Sequence, residues 1–202
     1  MTLFADTNSK IIKLNMPDAD ISYFPNFFSF EESKLLYHNL TEKIKWQQDF
    51  IKIYGKTIPL PRLTAWYGET EKNYTYSGIL MKPHKWNNDL LIIKEKIEKI
   101  AKVNFNSVLL NLYRNGADSV AWHADDEPEL GINPVIASVS FGETRIFQFK
   151  HQENQALKSQ IALENGSLLL MQDTTQHKWL HQIPKTTKIL KPRINLTFRI
   201  IS

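Results

Sequence analysis

The sequence contains no cysteine. A chain without thiols can form neither a disulfide nor an iron–sulfur cluster, and it cannot use cysteine as a zinc ligand or as a nucleophile. The absence also fits a reducing compartment, where disulfides are rare. Any metal site in this protein must therefore use ligands other than thiolates.

Long hydrophobic runs are also missing. Residues 1–17 have no apolar core of the kind found in a secretion signal, and no later segment approaches the length of a membrane span. We therefore expect an intracellular protein that is not secreted and has no membrane segment, cytoplasmic in a bacterium or nuclear in a eukaryote. A length of 202 residues suits one domain with a sizeable core, so we expect a single domain over residues 1–202.

The net charge of +4 is small, but the charges are unevenly distributed. Residues 43–102 hold twelve Lys and Arg against six Asp and Glu, and residues 171–202 hold six against one. Residues 103–165 reverse the balance, with four basic and eight acidic residues. A basic surface around an acidic centre would suit a metal site within a polyanion-binding face. A lysine-rich solvated surface would give the same charge pattern.

The first half of the chain predicts two helices and a set of hairpins. Residues 1–28 are expected to be an N-terminal arm. Ser29-Phe30-Glu31-Glu32 has the pattern of a capping box and predicts a helix that continues to about Trp46. A second amphipathic helix fits residues 87–102. Its expected core-facing residues are Leu90, Ile93, Ile97, Ile100 and Ala101. Between the helices, residues 50–68 are strand-like but interrupted by glycine and proline, which favours hairpins or loops.

From residue 105 the hydrophobic pattern changes to that of short strands separated by turns. Asn115-Gly116 and Asn165-Gly166 are turn signals, and Phe141-Gly142-Glu143 predicts a hairpin between two apolar strands. Strands and turns at this spacing indicate a mainly β or α+β protein with a sandwich or barrel of the jelly-roll type. The expected jelly-roll core covers residues 105–201, with helices before it.

Trp122-His123-Ala124-Asp125 places an imidazole and a carboxylate two residues apart, so on a strand both side chains point to the same face. A second imidazole from a distant strand would complete the two-histidine, one-carboxylate set of non-haem Fe(II) oxygenases. His177 and His181 both qualify by spacing, and a buried structural histidine is the alternative interpretation of His181. An H-x-D pair alone is weak evidence, because such pairs arise by chance.

The segment Arg193–Arg199 alternates strictly between polar and apolar residues. Arg193, Asn195, Thr197 and Arg199 share one strand face, and Asn111 and Tyr113 continue the same alternation elsewhere. Such a polar face lies either in solvent or against a polar cavity, and periodicity does not distinguish the two. In a cavity, the two arginines could hold a dicarboxylate through paired N–H donors.

Several segments resemble a known family. They are PRLTAWYG, YTYSG, NLYRNGADSVAWHADDEPELG, IASVSFGETRIFQF, GSLLLM, KWLHQIP and PRINLTFR. In this order they are similar to segments of the AlkB family of Fe(II)/2-oxoglutarate-dependent nucleic-acid dealkylases, most of all to the branch of animal homologues two and three. The similarity extends from about residue 50 to residue 201, and residues 1–28 show none.

The resemblance implies a double-stranded β-helix, or jelly roll, with a substrate-binding lid over residues 50–80. It implies that Fe(II) is bound by His123, Asp125 and His181, which would leave His177 outside the site. It also implies a pocket for the co-substrate 2-oxoglutarate, used together with O2, in which Arg193 holds the distal carboxylate. The residues implied around 2-oxoglutarate are Asn111, Tyr113, Arg193, Asn195, Thr197 and Arg199.

The resemblance assigns further residues to the nucleic-acid substrate. Tyr76 would stack on a flipped base, with Tyr74 and Thr75 beside it. Asp126 and Glu127 would lie near the exocyclic edge of that base. Tyr54-Gly55-Lys56 matches a hairpin that probes the duplex, with Tyr54 as a wedge. The remaining residue in the implied substrate set is Arg62.

The implied activity is repair of alkylated DNA, and of RNA if the enzyme accepts it. The enzyme, expected to be a monomer, would demethylate 1-methyladenine and 3-methylcytosine oxidatively, releasing formaldehyde, succinate and CO2. Three alternatives stay open. One is a related dioxygenase that acts on RNA or on a non-nucleic substrate. The others are a catalytically silent jelly roll that binds nucleic acid, and a barrel that stores or senses a metal.

Overall fold

The computed structural model describes residues 11–53, 55–69, 74–76, 79–81 and 83–202, with the backbone alone at 53, 74–76 and 79–81. The helices are α1 Phe30–Lys43, α2 Asn88–Ala101 and the short α3 Thr175–Lys178, and a 3-10 turn covers Pro128–Leu130. The strands are β1 Ile12–Lys13, β2 Asp20–Phe24, β3 Phe50–Ile53, β4 Lys56–Pro59, β5 Leu63–Gly68, β6 Tyr74–Tyr76, β7 Ile79–Met81, β8 Ser107–Tyr113, β9 Val120–His123, β10 Ile136–Gly142, β11 Arg145–His151, β12 Lys158–Leu163, β13 Ser167–Gln172, β14 Trp179–Ile183 and β15 Arg193–Arg199.

Two antiparallel sheets form the centre of the molecule. The major sheet has seven strands in the order β1-β2-β13-β10-β15-β8-β5, and the minor sheet has four in the order β12-β11-β14-β9. Two hairpins, β3–β4 and β6–β7, form separate two-stranded sheets. The predicted jelly roll with preceding helices is confirmed. Among the described residues, no helix is long and apolar enough to span a membrane.

The major sheet is covered on both of its faces. One face packs against α1 and α2 in a cluster that includes Leu40, Ile93, Ile97, Leu196 and Phe198. The other face meets the minor sheet in a second cluster, whose members include Leu109, Phe147, Leu169, Met171 and Trp179. Because the side chains of a strand alternate between faces, the central strands contribute to both clusters.

The two long helices begin at the residues that the sequence predicts. Ser29 caps α1 with a complete capping box, in which its side chain accepts from the Glu32 N–H and Glu32 accepts from the Ser29 N–H. Leu36 and Leu40, which are four residues apart, are both buried, although the helix ends at Lys43 rather than near Trp46. In α2 the predicted core residue Ile100 is 42% exposed, because it lies beside the buried stripe and not within it.

The predicted arm over residues 1–28 is wrong from residue 12 onward, because β1 and β2 both belong to the major sheet. Strand β2 pairs with β13 inside the major sheet. Phe27 and Phe28 are buried in the core against α1 and α2. The Phe28 N–H donates to the Gly166 carbonyl at 2.9 Å, which joins this segment to the jelly roll. Local polarity suggested an arm, but the hydrophobic residues of this segment complete the sheet.

Two other expectations need correction. Phe141-Gly142-Glu143 is not a hairpin, because β10 belongs to the major sheet and β11 to the minor sheet. The turn therefore carries the chain from one sheet to the other, as jelly rolls require. The range predicted for the lid, residues 50–80, contains β5, which pairs with β8 at the edge of the major sheet. Residues 64–68 are buried there, so this part of the range is jelly-roll core.

Gly166 offers a test of how the N-terminal segment is attached. Its φ is +74°, and an added Cβ would lie 2.8 Å from the Phe28 carbonyl oxygen and collide with Ser33 Oγ. We expect Gly166→Ala to lower the free energy of unfolding by roughly 3 kcal/mol, since backbone strain and overpacking act together. Gly131 also has φ +74° but no atom within 4 Å of an added Cβ, so Gly131→Ala should cost only about 1 kcal/mol. Equal losses in urea unfolding would contradict the packing argument.

Candidate active site

His123, Asp125 and His181 meet between the two sheets. Strand β9 ends at His123, which pairs directly with His181 of β14, and the two rings lie 4.3 Å apart. One potential ligand atom from each of the three residues lies within 4.8 Å of the other two. His177 is not in this group; it lies on α3, where its Nε2 accepts from the Asn133 N–H. The geometry therefore selects His181 as the second imidazole of the cluster.

Contacts around the cluster fix the orientation of its donor atoms. The Nδ1 of His123 is 2.8 Å from the Ala121 carbonyl, which can only accept, so Nδ1 carries a hydrogen and its contact holds the ring in place. Phe147 stacks on the His181 ring at 5.1 Å. Arg199 Nη2 donates to Asp125 Oδ1, leaving Oδ2 of Asp125 on the His181 side, 3.9 Å from Nε2.

The protonation states of the cluster suit a cation. Burial, reinforced by His123, lowers the pKa of His181 to about 3, so this imidazole is neutral at physiological pH. Burial alone would raise the pKa of Asp125, but the Arg199 guanidinium and the two imidazoles outweigh it and hold the pKa below its ordinary value. Two imidazoles and one carboxylate are the donor set of non-haem Fe(II) sites, with coordination positions left open.

The polar face of β15 lines the same cavity as this cluster. Arg193, Asn195, Thr197 and Arg199 are all buried, and Asn111 and Tyr113 of β8 lie beside them in the cavity wall. The polar face of Arg193–Arg199 therefore lies against a cavity and not in solvent. The minor sheet covers the polar face of β15, which explains why the four polar side chains at alternate positions of this strand are buried.

Arg193 is the charged residue of the wall with the clearest unmet bonding capacity. It is 1% exposed, and its Nη2 donates to Ser140 Oγ at 2.9 Å. Its Nε and Nη1 have no hydrogen-bond partner in the described part of the chain. Burial lowers the pKa of Arg193 to about 10, with Tyr113 opposing the shift, so the guanidinium stays charged at neutral pH. A buried cation with unmet N–H donor capacity on two of its nitrogens fits an anionic group such as a carboxylate, whose oxygens accept charge-assisted hydrogen bonds.

The remaining wall residues are held by one another. Asn195 Nδ2 donates to Ser138 Oγ at 2.8 Å, and Asn195 Oδ1 accepts from Thr197 at 3.2 Å and from Asn111 at 3.4 Å. Arg62 is buried in this wall, and its Nε donates to Asn111 Oδ1 at 2.7 Å. Arg62 was predicted to contact the substrate; its position makes it part of the cavity that contains the cluster.

Three further groups that the sequence did not single out shape this site. Ser138 and Ser140 of β10 contact Asn195 and Arg193, and the inward alternation of this strand could have identified them. Arg145 donates to the backbone carbonyls of Asn115, Asp118 and Pro184, and its guanidinium lies 5.5 Å from the ring of the wall residue Tyr113. Gln176 accepts from the backbone N–H of Asp125, and no local sequence pattern predicts this contact between residues far apart in the chain.

Apart from Arg62, the predicted substrate residues lie outside this cavity wall or outside the described part of the chain. Asp126 is exposed and Glu127 half-buried, just beyond the cluster. Gly55 and Lys56 are exposed on the β3–β4 hairpin. Tyr54 lies outside the described residues. Strand β6 carries Tyr74, Thr75 and Tyr76, for which the structure describes the backbone alone.

Comparison with known proteins agrees with the fold and the cavity. Residues 20–199 match the 2OG-Fe(II) oxygenase superfamily, and the chain belongs to this superfamily. Membership implies Fe(II), 2-oxoglutarate and O2, and the donor set and the buried cation described above fit the metal and the co-substrate.

The predicted similarity to the AlkB branch is confirmed. The chain is 42% identical to the human "Alpha-ketoglutarate-dependent dioxygenase alkB homolog 3" over 90% of this chain and 66% of that protein. It is 38% identical to the human "DNA oxidative demethylase ALKBH2" over 75% of this chain and 60% of that protein. It thus spans less than two thirds of each relative. The solved structure of OsALKBH1 shares the fold, with a TM-score of 0.65 and 16% identity over 95% of this chain and all of that one.

The buried neutral His181 should make the metal-free protein sensitive to acid. In the unfolded chain a histidine takes up its proton near pH 6.5, whereas in the folded protein His181 does so only near pH 3. The unfolded state is therefore favoured as pH falls below 6.5, and stability is lost towards pH 3. We expect a loss of about 1.4 kcal/mol from this residue between pH 7.5 and 5.5. Urea unfolding of wild type and His181→Gln at both pH values measures it, and identical pH slopes would contradict it.

Arg193 should be the main contact for 2-oxoglutarate. Arg193→Lys keeps the charge but loses the planar fork, so we expect the dissociation constant for 2-oxoglutarate to rise by about tenfold or more. Calorimetric titration of the Mn²⁺-loaded protein gives this constant without turnover. Arg114→Lys is the matched control, because Arg114 pairs with Asp118 outside the cavity. Unchanged affinity in Arg193→Lys would assign the carboxylate contact to another residue.

Proposed function

We propose that this protein is an oxidative demethylase that repairs N-methylated bases, such as 1-methyladenine and 3-methylcytosine, in DNA. One observation carries the proposal. A two-histidine, one-carboxylate cluster shares a buried cavity with a guanidinium that has two unused donors. The names of the similar proteins, alkB homolog 3 and a DNA oxidative demethylase, support the reaction and the substrate class.

In this proposal His123, Asp125 and His181 hold Fe(II), and Arg193 with the polar wall holds 2-oxoglutarate. Together with O2, these groups supply the oxidising chemistry that hydroxylates an N-linked methyl, after which formaldehyde leaves the base. The protein's own contribution is to bind and orient the reactants. Apolar side chains at the cavity, among them Leu109, Phe147 and Ile183, keep bulk water from the reacting groups.

Asp125 and Arg199 contribute the electrostatics of the metal end of the cavity. Their contact is buried, with both side chains at most 5% exposed. The arginine keeps the carboxylate ionised and fixes one of its oxygens. The other oxygen is then turned towards the imidazoles, where a divalent cation would be held.

The surface beside the cavity supports a nucleic-acid substrate. Lys52 and Lys56 are exposed on the β3–β4 hairpin, without an ion-pair partner among the described residues. The hairpin leads directly to Arg62 in the cavity wall. Exposed lysines at this place would hold phosphates, and binding would weaken with salt. These lysines are part of the basic region that the sequence shows over residues 43–102.

The methyl group of these lesions lies on the pairing edge, so the base must leave the stack to reach the cavity. In the proposed complex Tyr76 stacks on the flipped base with Tyr74 and Thr75 beside it, and Tyr54 fills the gap in a duplex. Asp126 and Glu127 favour the positively charged lesion over the unmodified base. We further propose that the enzyme acts as a monomer, in the cytoplasm of a bacterium or the nucleus of a eukaryote.

Formaldehyde release tests the proposed reaction directly. Oligonucleotides of one sequence carry 1-methyladenine, 3-methylcytosine or no lesion, as single-stranded DNA, duplex DNA and single-stranded RNA. Wild type and His177→Ala should release formaldehyde from the methylated DNA, whereas His123→Ala should release none. Release from RNA alone would replace DNA by RNA as the substrate. Succinate formation without formaldehyde in any arm would indicate a non-nucleic substrate, and no turnover at all would favour the silent or storage alternatives.

Substitution of Tyr76 distinguishes binding of the base from turnover of 2-oxoglutarate. Stacking on an aromatic ring is worth roughly 1–3 kcal/mol, so Tyr76→Ala should lower demethylation about tenfold or more. Succinate formed without nucleic acid should stay at the wild-type rate, because the metal cluster is untouched. Equal loss of both products would give Tyr76 a structural role, and unchanged demethylation would remove it from the substrate site.

A further inference from the structure

Asp125 is the residue of the metal cluster that the strand ladder does not hold. His123 and His181 face each other in the register of β9 and β14. Strand β9 ends at His123, so Asp125 lies two residues past the ladder. Its backbone therefore needs another constraint if the carboxylate is to keep a fixed position relative to the two imidazoles.

Gln176 supplies such a constraint from the interior of the protein. It is fully buried on α3, and its Oε1 accepts from the backbone N–H of Asp125 at 3.0 Å. Its Nε2 points to Met171 Sδ at 3.6 Å, and Met171 lines the cavity. The neighbouring Thr175 accepts from the Asp20 N–H at 3.0 Å, which anchors α3 to the major sheet.

These contacts connect the two halves of the site. The chain passes from β13 of the major sheet through α3 to β14 of the minor sheet, which carries His181. Gln176 stands within this crossing and touches both the Asp125 segment and a wall residue of the major sheet. Within the described part of the chain, the side chain of Gln176 bonds to the Asp125 backbone and to Met171 and not to the ligand atoms, so its effect on the cluster must act through the backbone of Asp125.

We propose that Gln176 is a positioning residue for the metal ligand Asp125. Gln176 fixes the backbone of Asp125, so that the carboxylate and the two imidazoles can bind one face of the cation. This inference rests on the proposed function, because it requires the cluster to bind a metal. Partners outside the ligand set commonly change metal affinity by 10- to 100-fold when they are removed.

Binding of Co²⁺ tests the proposal without turnover. Gln176→Met has a similar length and volume but no acceptor, and we expect its dissociation constant for Co²⁺ to rise about tenfold. Its visible Co²⁺ absorption should also shift, because the carboxylate is less well oriented. Gln176→Glu retains an oxygen acceptor and should keep an affinity near that of wild type. Urea unfolding of the metal-free variants establishes that both are folded.

Gln182→Met is the matched control, since it makes the same substitution next to His181. Gln182 donates to Gln148 at 2.8 Å and does not line the cavity. It should leave Co²⁺ affinity and absorption unchanged. Wild-type affinity and absorption in Gln176→Met would overturn the positioning role, even if the protein is a demethylase. Wild type that binds Co²⁺ but releases no formaldehyde would overturn the proposed function alone, and failure of wild type to bind Co²⁺ would overturn both.

Discussion

Burial of both faces of the central strands is the constraint on which the rest of the structure depends. Strands β8, β10 and β15 pack against α1 and α2 on one side and face the minor sheet on the other. Polar side chains on the inner face are removed from water, so each must find a partner in the protein or in a ligand. Asn111, Asn195 and Ser138 satisfy much of this requirement among themselves, whereas Arg193 retains two donors.

The buried charges make the cavity suited to a cation and an anion together. Asp125 contributes a negative charge, and Arg62, Arg193 and Arg199 contribute three positive charges in the same cavity. A divalent metal and a doubly negative co-substrate bring charges that cancel, so binding both leaves the net charge of the cavity unchanged. Isolated charges are costly to bury, and compensating them lowers that cost. This balance gives a physical reason for the metal and the dicarboxylate to occupy the cavity as a pair.

The superfamily fold provides the frame, and the side chains in the cavity provide the chemistry. A solved structure with only 16% identity shares the architecture, which shows how little of the sequence the fold requires. The surface that would meet a nucleic acid belongs to hairpins outside the two main sheets. Hairpins in separate sheets can change in sequence without disturbing the pairing of the central strands.

The sequence by itself determined the features that depend on neighbouring residues. The capping box at Ser29, the burial of Leu36 and Leu40, and the alternation from Arg193 to Arg199 follow from local hydrogen bonding and from the periods of helix and strand. The resemblance in motifs added the jelly-roll fold and a complete set of expected Fe(II) ligands. The H-x-D spacing alone supported only two of those ligands.

Only the tertiary structure decided what covers each face and which distant segments meet. Periodicity shows that Arg193 and Asn195 share a face, but it does not show that a second sheet closes over them. The register of β14 against β9, and not spacing along the chain, brings His181 to His123 and leaves His177 on α3. The crossing at Gly142, the incorporation of β2 and the contact of Gln176 with Asp125 are likewise long-range. Such contacts arise from packing between segments far apart in sequence, which local patterns do not encode.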